Sequence, residues 1–182
     1  VFLLVVLNRY EMKQQMLTHK QNIWAIFKAV FQDQKLLYFI AGGILISLGY
    51  SQFDSTLPQF INMNVEDGVK LFSYVIVANS ITVLSLQLPL TVMIEKMSIY
   101  ASLKMGIIIF SVGLFLFGLS DSAGMFIASM IVFSIGEIFC FPMMNAVIEE
   151  IAPEDQKGTY LGAAQLRNIG GFIGPIFGGW LL

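Results

Sequence analysis

Five long stretches almost free of charge dominate this sequence, at 36–61, 71–94, 98–120, 125–148 and 159–182. A helix rising about 1.5 Å per residue needs about 20 apolar residues to cross the roughly 30 Å hydrocarbon layer of a bilayer. Each stretch is long enough, so the pattern predicts five transmembrane helices. Composition agrees: 57% of the 182 residues are hydrophobic and 12% charged, against about 45–50% and about 25% in soluble domains. A water-soluble fold of this length cannot hide that much apolar surface. The run VFLLVVL at 1–7 is too short to span and reads as the end of an earlier helix. The last stretch stops at Leu182 without a flanking loop, so the chain is expected to be a fragment cut at both ends.

Several classes are excluded by what the chain lacks. A net charge of -2 offers no basic face to a nucleic-acid backbone, so no nucleic-acid partner is expected. One cysteine, Cys140, and one histidine, His19, make neither a disulfide nor a metal site. No Ser/His/Asp set and no phosphate-binding loop is visible, so neither an enzyme nor a cofactor is expected.

Short loops rich in Lys and Arg stay in the cytoplasm. Loops 8–35, 95–104 and 149–158 carry Arg9, Lys13, Lys20, Lys28, Lys35, Lys96, Lys104 and Lys157, whereas the opposite loops carry only Lys70. The first set is therefore expected to be cytoplasmic. Within 8–35, the apolar residues Ile23, Trp24, Ile26, Phe27, Val30 and Phe31 recur at helical spacing, which fits either an amphipathic helix in the membrane interface or a lead-in to the next span.

Charges inside spans are costly and mark cavities, pathways or ion pairs. Here they are Asp54, Glu137 and Arg167. Counting residues from the span ends puts Glu137 and Arg167 at nearly the same depth, so two readings stand: a structural ion pair, or a proton-binding Glu137 whose affinity Arg167 modulates. Asp54 lies near the outer surface, as an auxiliary acid or as a solvated one. A carboxyl in a low-dielectric site favours its neutral form, which brings its titration toward the range where it can load and unload protons.

Neutral polar residues add a second stripe. Asn79, Thr82 and Gln87 lie along the second span, and Asn145 lies two turns beyond Glu137. They serve either a cavity wall or bonds between helices. Gln52, Phe141, Tyr50, Phe53 and Phe139 are further candidates for that wall. Pro89, Pro142 and Pro175 are expected to interrupt their helices. In the last span Gly170, Gly174 and Gly178 recur every four residues, with Gly171, Pro175 and Gly179 beside them, which bares one face to a neighbouring backbone.

Taken together, these motifs resemble the C-terminal half of a major facilitator superfamily transporter of the drug:proton antiporter branch. The resemblance covers nearly the whole chain. The turn IAPEDQKGTYLG before the fifth span, with Pro153, Gly158 and Gly162, is similar to the family's turn there. The segment formed by Gly170, Gly174, Pro175, Gly178 and Gly179 resembles its antiporter motif, and QFDSTLP and GEIFCFP resemble helices seven and ten of its multidrug transporters. The resemblance implies an all-α integral membrane fold: residues 1–7 ending helix six, 8–35 a central cytoplasmic loop, and 36–182 helices seven to eleven of a twelve-helix protein in the cell membrane. It also implies that Asp54 and Glu137 serve protonation and recognition of cationic drugs.

The expected function is proton-coupled export of small amphipathic or cationic substrates, with Glu137 and Asp54 as proton-coupling acids and Arg167 as modulator. Gln52, Asn79, Gln87, Phe141 and Asn145 are expected to line the substrate cavity. The partners are substrate, protons, the lipid bilayer and the N-terminal half of the same protein. Proton-coupled uptake of a metabolite, and a non-transporting receptor or assembly protein whose charges only pair its helices, remain alternatives.

Overall fold

A computed structural model describes residues 32–154 and 156–182, together with Trp24 and Lys28. The expected helix end at 1–7 lies outside the described residues, as does most of the loop 8–35 and its interfacial helix. Among the described residues the secondary structure is entirely helical.

Asp33 starts the first helix by capping it: its side chain accepts from the backbone N–H of Lys35 (2.8 Å) and Leu36 (3.4 Å). This helix, α1, runs Gln34–Asn64. A tight turn follows, with Asp67 in the left-handed region at φ 59°. Gly68 then opens α2 (Gly68–Ile94) with its backbone pressed on Ile61 and Asn62, where any Cβ would collide. Ser98 caps α3 (Ile99–Leu119) by accepting from the N–H of Ala101. After a short turn, α4 runs Ala123–Ile151. All four helices are long and apolar enough to cross a membrane.

The fifth span differs from expectation. It is built as α5 (Lys157–Ala164), a 3-10 turn over Gln165–Asn168, and α6 (Ile169–Leu181). The helices continue through Pro58, Pro89, Pro142 and Pro175. The expected interruptions at Pro89, Pro142 and Pro175 are therefore absent, because each proline removes only one backbone hydrogen bond and packing holds the helix around it. The break falls instead at QLRN, which contains no proline.

Packing is set by small residues. The most extensive contact joins α3 to α4, where Gly106 lies against Phe139 and Cys140, Gly113 against Phe133, and Gly136 against Phe110. Phe133 anchors one core cluster with Phe53, Phe110 and Phe117, its ring 4.6 Å from that of Phe110. A second cluster joins Leu36 and Ile40 to Ile148, Tyr160 and Ala163 at the end of the bundle that carries Lys35, Lys96 and Lys157. We call this the lysine-rich end. There the Tyr160 hydroxyl donates to Asp33 Oδ2 at 2.7 Å, tying α5 to the cap of α1.

Candidate functional site

The wall of the site is set by helical spacing. On α1, Tyr50 and Asp54 stand one turn apart, and on α4 so do Glu137 and Phe141. These four line one open groove of about 610 Å³, together with Ser47, Ser51 and Ser55 of α1 and Asn168, Gly171 and Pro175 of the last span. The structure thus brings Asp54 and Glu137 to one groove. Asp54 is exposed and Glu137 partly buried.

Glu137 is held from two sides. The Tyr50 hydroxyl donates to its Oε1 at 3.3 Å, and the Asn79 amide of α2 donates to its Oε2 at 3.1 Å. Asn79 also donates to Ser134 Oγ at 2.9 Å. One carboxyl therefore joins α1, α2 and α4 midway along the bundle. Tyr50 in turn stacks edge-on against Phe141, with centroids 5.1 Å apart.

Arg167 is placed elsewhere. Its Nη2 donates to Asn145 Oδ1 at 3.1 Å, its guanidinium lies 5.8 Å from the centre of the Phe39 ring, and its stem packs on Gly43. Gly43 precedes Tyr50 by seven positions, so Arg167 lies about 10 Å nearer the lysine-rich end than Glu137. The expected common depth, and with it the Glu137–Arg167 ion pair, is corrected. Among the described residues the only salt bridge is Lys157–Glu154, and Arg167 Nη1 is buried without a partner. Counting from opposite ends of two spans assumed equal lengths, whereas α4 continues to Ile151, so Glu137 stands 14 residues from the lysine-rich end of its helix and Arg167 only 10 residues from the start of α5.

The remaining candidates divide. Phe141 lines the groove. Asn79 is bound to Glu137, and Asn145 is exposed and bound to Arg167. Gln87 opens instead into a second cavity of about 190 Å³ between α2 and α4, which Glu137 and Phe141 also line. Gln52 leaves the wall altogether: its Nε2 donates to Gly174 O at 2.9 Å and its Oε1 accepts from Thr56 at 2.6 Å, so it clasps α6 to α1. Thr82 is buried with its hydroxyl bound to Ala78 O. Phe53 and Phe139 are buried in the packing rather than on the groove.

The glycine motif splits in the same way. Gly170, Gly174 and Gly178 press on α1 at Ile44, Ser51 and Thr56. Gly171 and Pro175 line the groove, and Gly179 faces open space. The bond from Tyr50 to Glu137 and the serine row at 47, 51 and 55 were missed as polar partners in the sequence, although the spacing of Tyr50 from Asp54 carries that signal. Nothing local signals the Asp33–Tyr160 bond, which joins residues 127 positions apart.

A helical bundle with four membrane-length helices around a groove that holds two acids defines a multi-pass membrane protein. Comparison specifies it: residues 1–175 match the family model of the Major Facilitator Superfamily, and the chain belongs to that family. It is 34% identical over 164 residues to the uncharacterized MFS-type transporter YqjV of Bacillus subtilis, covering 89% of this chain and 40% of that protein. To the uncharacterized MFS-type transporter YdeE of Escherichia coli it is 31% identical, covering 91% and 42%. A Na(+), Li(+), K(+)/H(+) antiporter of Planococcus maritimus is 24% identical, with 81% and 38% covered. The chain therefore spans about two fifths of the length of these relatives.

Proposed function

We propose that this chain supplies the C-terminal half, helices seven to eleven, of a transporter that exports amphipathic or cationic substrates in exchange for protons across the cell membrane. The observation that carries this reading is the shared groove of Asp54, Glu137, Tyr50 and Phe141. Its volume of about 610 Å³ lies within the roughly 300–1,000 Å³ of sites for small organic ligands. Two carboxyls give it negative charge, and two aromatic rings give a cation flat surfaces to lie against.

Glu137 is the main proton carrier on this reading and Asp54 the auxiliary acid. A proton and a cation then compete for the same carboxylates, so loading one releases the other. The membrane potential contributes about 2.3 kcal/mol per charge per 100 mV. Arg167, set about 10 Å nearer the lysine-rich end and bonded to Asn145, acts on Glu137 only through the field of its charge. The lysine-rich end faces the cytoplasm.

The test uses the complete protein in everted vesicles, comparing wild type with Glu137→Gln at matched abundance. Wild type is expected to move a lipophilic cationic dye under a proton gradient, while Glu137→Gln binds dye but does not move it. Equal movement by both would remove Glu137 from coupling, and no movement by wild type would reject organic-cation export. A second reading, exchange of Na⁺, Li⁺ or K⁺ for protons, is favoured by the antiporter relative and is read by repeating the assay with those ions in place of dye.

A further inference from the structure

Glu137 borders two cavities. The larger groove runs between α1, α4 and the last span. The smaller, of about 190 Å³, lies between α2 and α4 and is lined by Val83, Gln87, Thr91, Glu137, Ile138, Phe141 and Pro142. Phe141 belongs to both walls, with its ring set edge-on against Tyr50. The two carboxylate oxygens are divided accordingly, Oε1 bonded to Tyr50 of α1 and Oε2 to Asn79 of α2.

We propose that the cavity between α2 and α4 is a water-filled proton route between Glu137 and the lysine-rich end, separate from the substrate groove. This inference rests on the reading of Glu137 as the proton carrier. Val83, Gln87 and Thr91 supply the α2 wall of this cavity, in an every-fourth-residue row that continues back to Asn79 and winds about 120° around the helix. That row begins at the hydrogen-bond partner of Glu137 and descends about 18 Å to Thr91, in the last turn before Ile94. Gln87 and Thr91 are exposed along it in this half of the protein. Pro142 has no N–H to give the carbonyl of Ile138, which leaves an acceptor on the opposite wall of the same cavity. The lining is thus polar at intervals that a file of several waters can bridge, and its volume of about 190 Å³ falls below the roughly 300 Å³ of sites for organic ligands of drug size.

Proton transfer along it is simple: a hydronium gives its proton to a Glu137 carboxylate oxygen and leaves as water, and the reverse step releases it. The other groups facing Glu137 are Tyr50 and Asp54 on α1, and the neutral Asn79 on α2. Lys70, Lys104 and Lys157 of α2, α3 and α5 lie in the first two turns of their helices and line neither cavity. Substrate can then occupy the groove while protons reach the carboxyl from behind it.

The test uses the complete protein in liposomes. Thr91→Leu places a larger apolar side chain in the route at an exposed position. The expected result is a several-fold drop in dye-coupled proton flux with equilibrium dye binding unchanged. In parallel, Thr91→Cys should react with a membrane-impermeant thiol reagent added at the lysine-rich side, and saturating dye should not protect it. Flux at the wild-type rate in Thr91→Leu, or protection of Thr91→Cys by dye, overturns the separate route. If Thr91→Leu fails to accumulate, the Thr91→Cys labelling decides alone. Glu137→Gln distinguishes the two levels: a dead Glu137→Gln with an unimpaired Thr91→Leu removes the route only, whereas an active Glu137→Gln removes both route and carrier.

Discussion

At the scale of single residues, the last span shows how one helix face can pack and the next stay free. A Cβ at Gly170 would fall onto the carbonyl oxygen of Ile44 and within 2.8 Å of the Leu48 nitrogen. Both are backbone atoms, so no rotamer change relieves the clash, and α1 and α6 must move apart. At Gly179 a Cβ meets nothing within 4 Å. Gly170→Ala is therefore expected to destabilise the protein by about 1–3 kcal/mol, the usual cost of overpacking, while Gly179→Ala stays near wild type. Denaturant titration of the two purified variants in detergent checks this, and equal midpoints would contradict the packing. Gln52 depends on the same approach, because its amide reaches Gly174 O only while the α6 backbone lies this close to α1.

At the scale of elements, the joint between α1 and α5 rests on one carboxylate. Asp33 accepts from the Tyr160 hydroxyl on one oxygen and caps α1 with the other. The Tyr160 hydroxyl, followed by the amides of Lys35 and Leu36, holds the Asp33 carboxyl below its ordinary range, with partial burial opposing them. A folded-state value below the unfolded one means that ionised Asp33 favours the fold. That stabilisation is fully present above the ordinary Asp value, near pH 4, and is lost as pH falls through the depressed folded value. Tyr160→Phe keeps the buried ring but removes the bond. It is expected to cost about 0.5–1.5 kcal/mol at neutral pH and to flatten the loss of stability on acidification. Asp33→Ala removes cap and bond together and should cost at least as much. Thermal unfolding of wild type and both variants between pH 7 and pH 3 tests this. A Tyr160→Phe profile parallel to wild type would show that the bond does not carry the acid dependence.

At the scale of the molecule, the elements whose cause is one-dimensional could be read from the sequence. The first four spans are apolar runs bounded by polar turns, and the structure reproduces them to within about three residues at each end. The break at QLRN was invisible, because hydropathy does not distinguish an α-helix from a 3-10 turn. Glu137 and Asp54 stood out as charges in apolar surroundings, but which neighbours share their face depends on how the helices rotate against one another. Gln52 is the instructive case: two positions from Asp54, it lies about 200° around the helix and cannot share its wall. Charge asymmetry is also one-dimensional, and it makes a prediction about the whole protein. Among the described residues, Lys35, Lys96, Lys104 and Lys157 gather at one end of the bundle and Lys70 stands alone at the other. Positive charge in short loops is retained on the cytoplasmic side during insertion. Fluorescent-protein fusions placed in the turns after α2 and α4 should therefore glow. Alkaline phosphatase fusions, active only outside the cytoplasm, should work in the turns after α1 and α3. The reverse pattern would invert the bundle, making the end of the α2–α4 cavity near Thr91 an entrance for external protons rather than an exit to the cytoplasm.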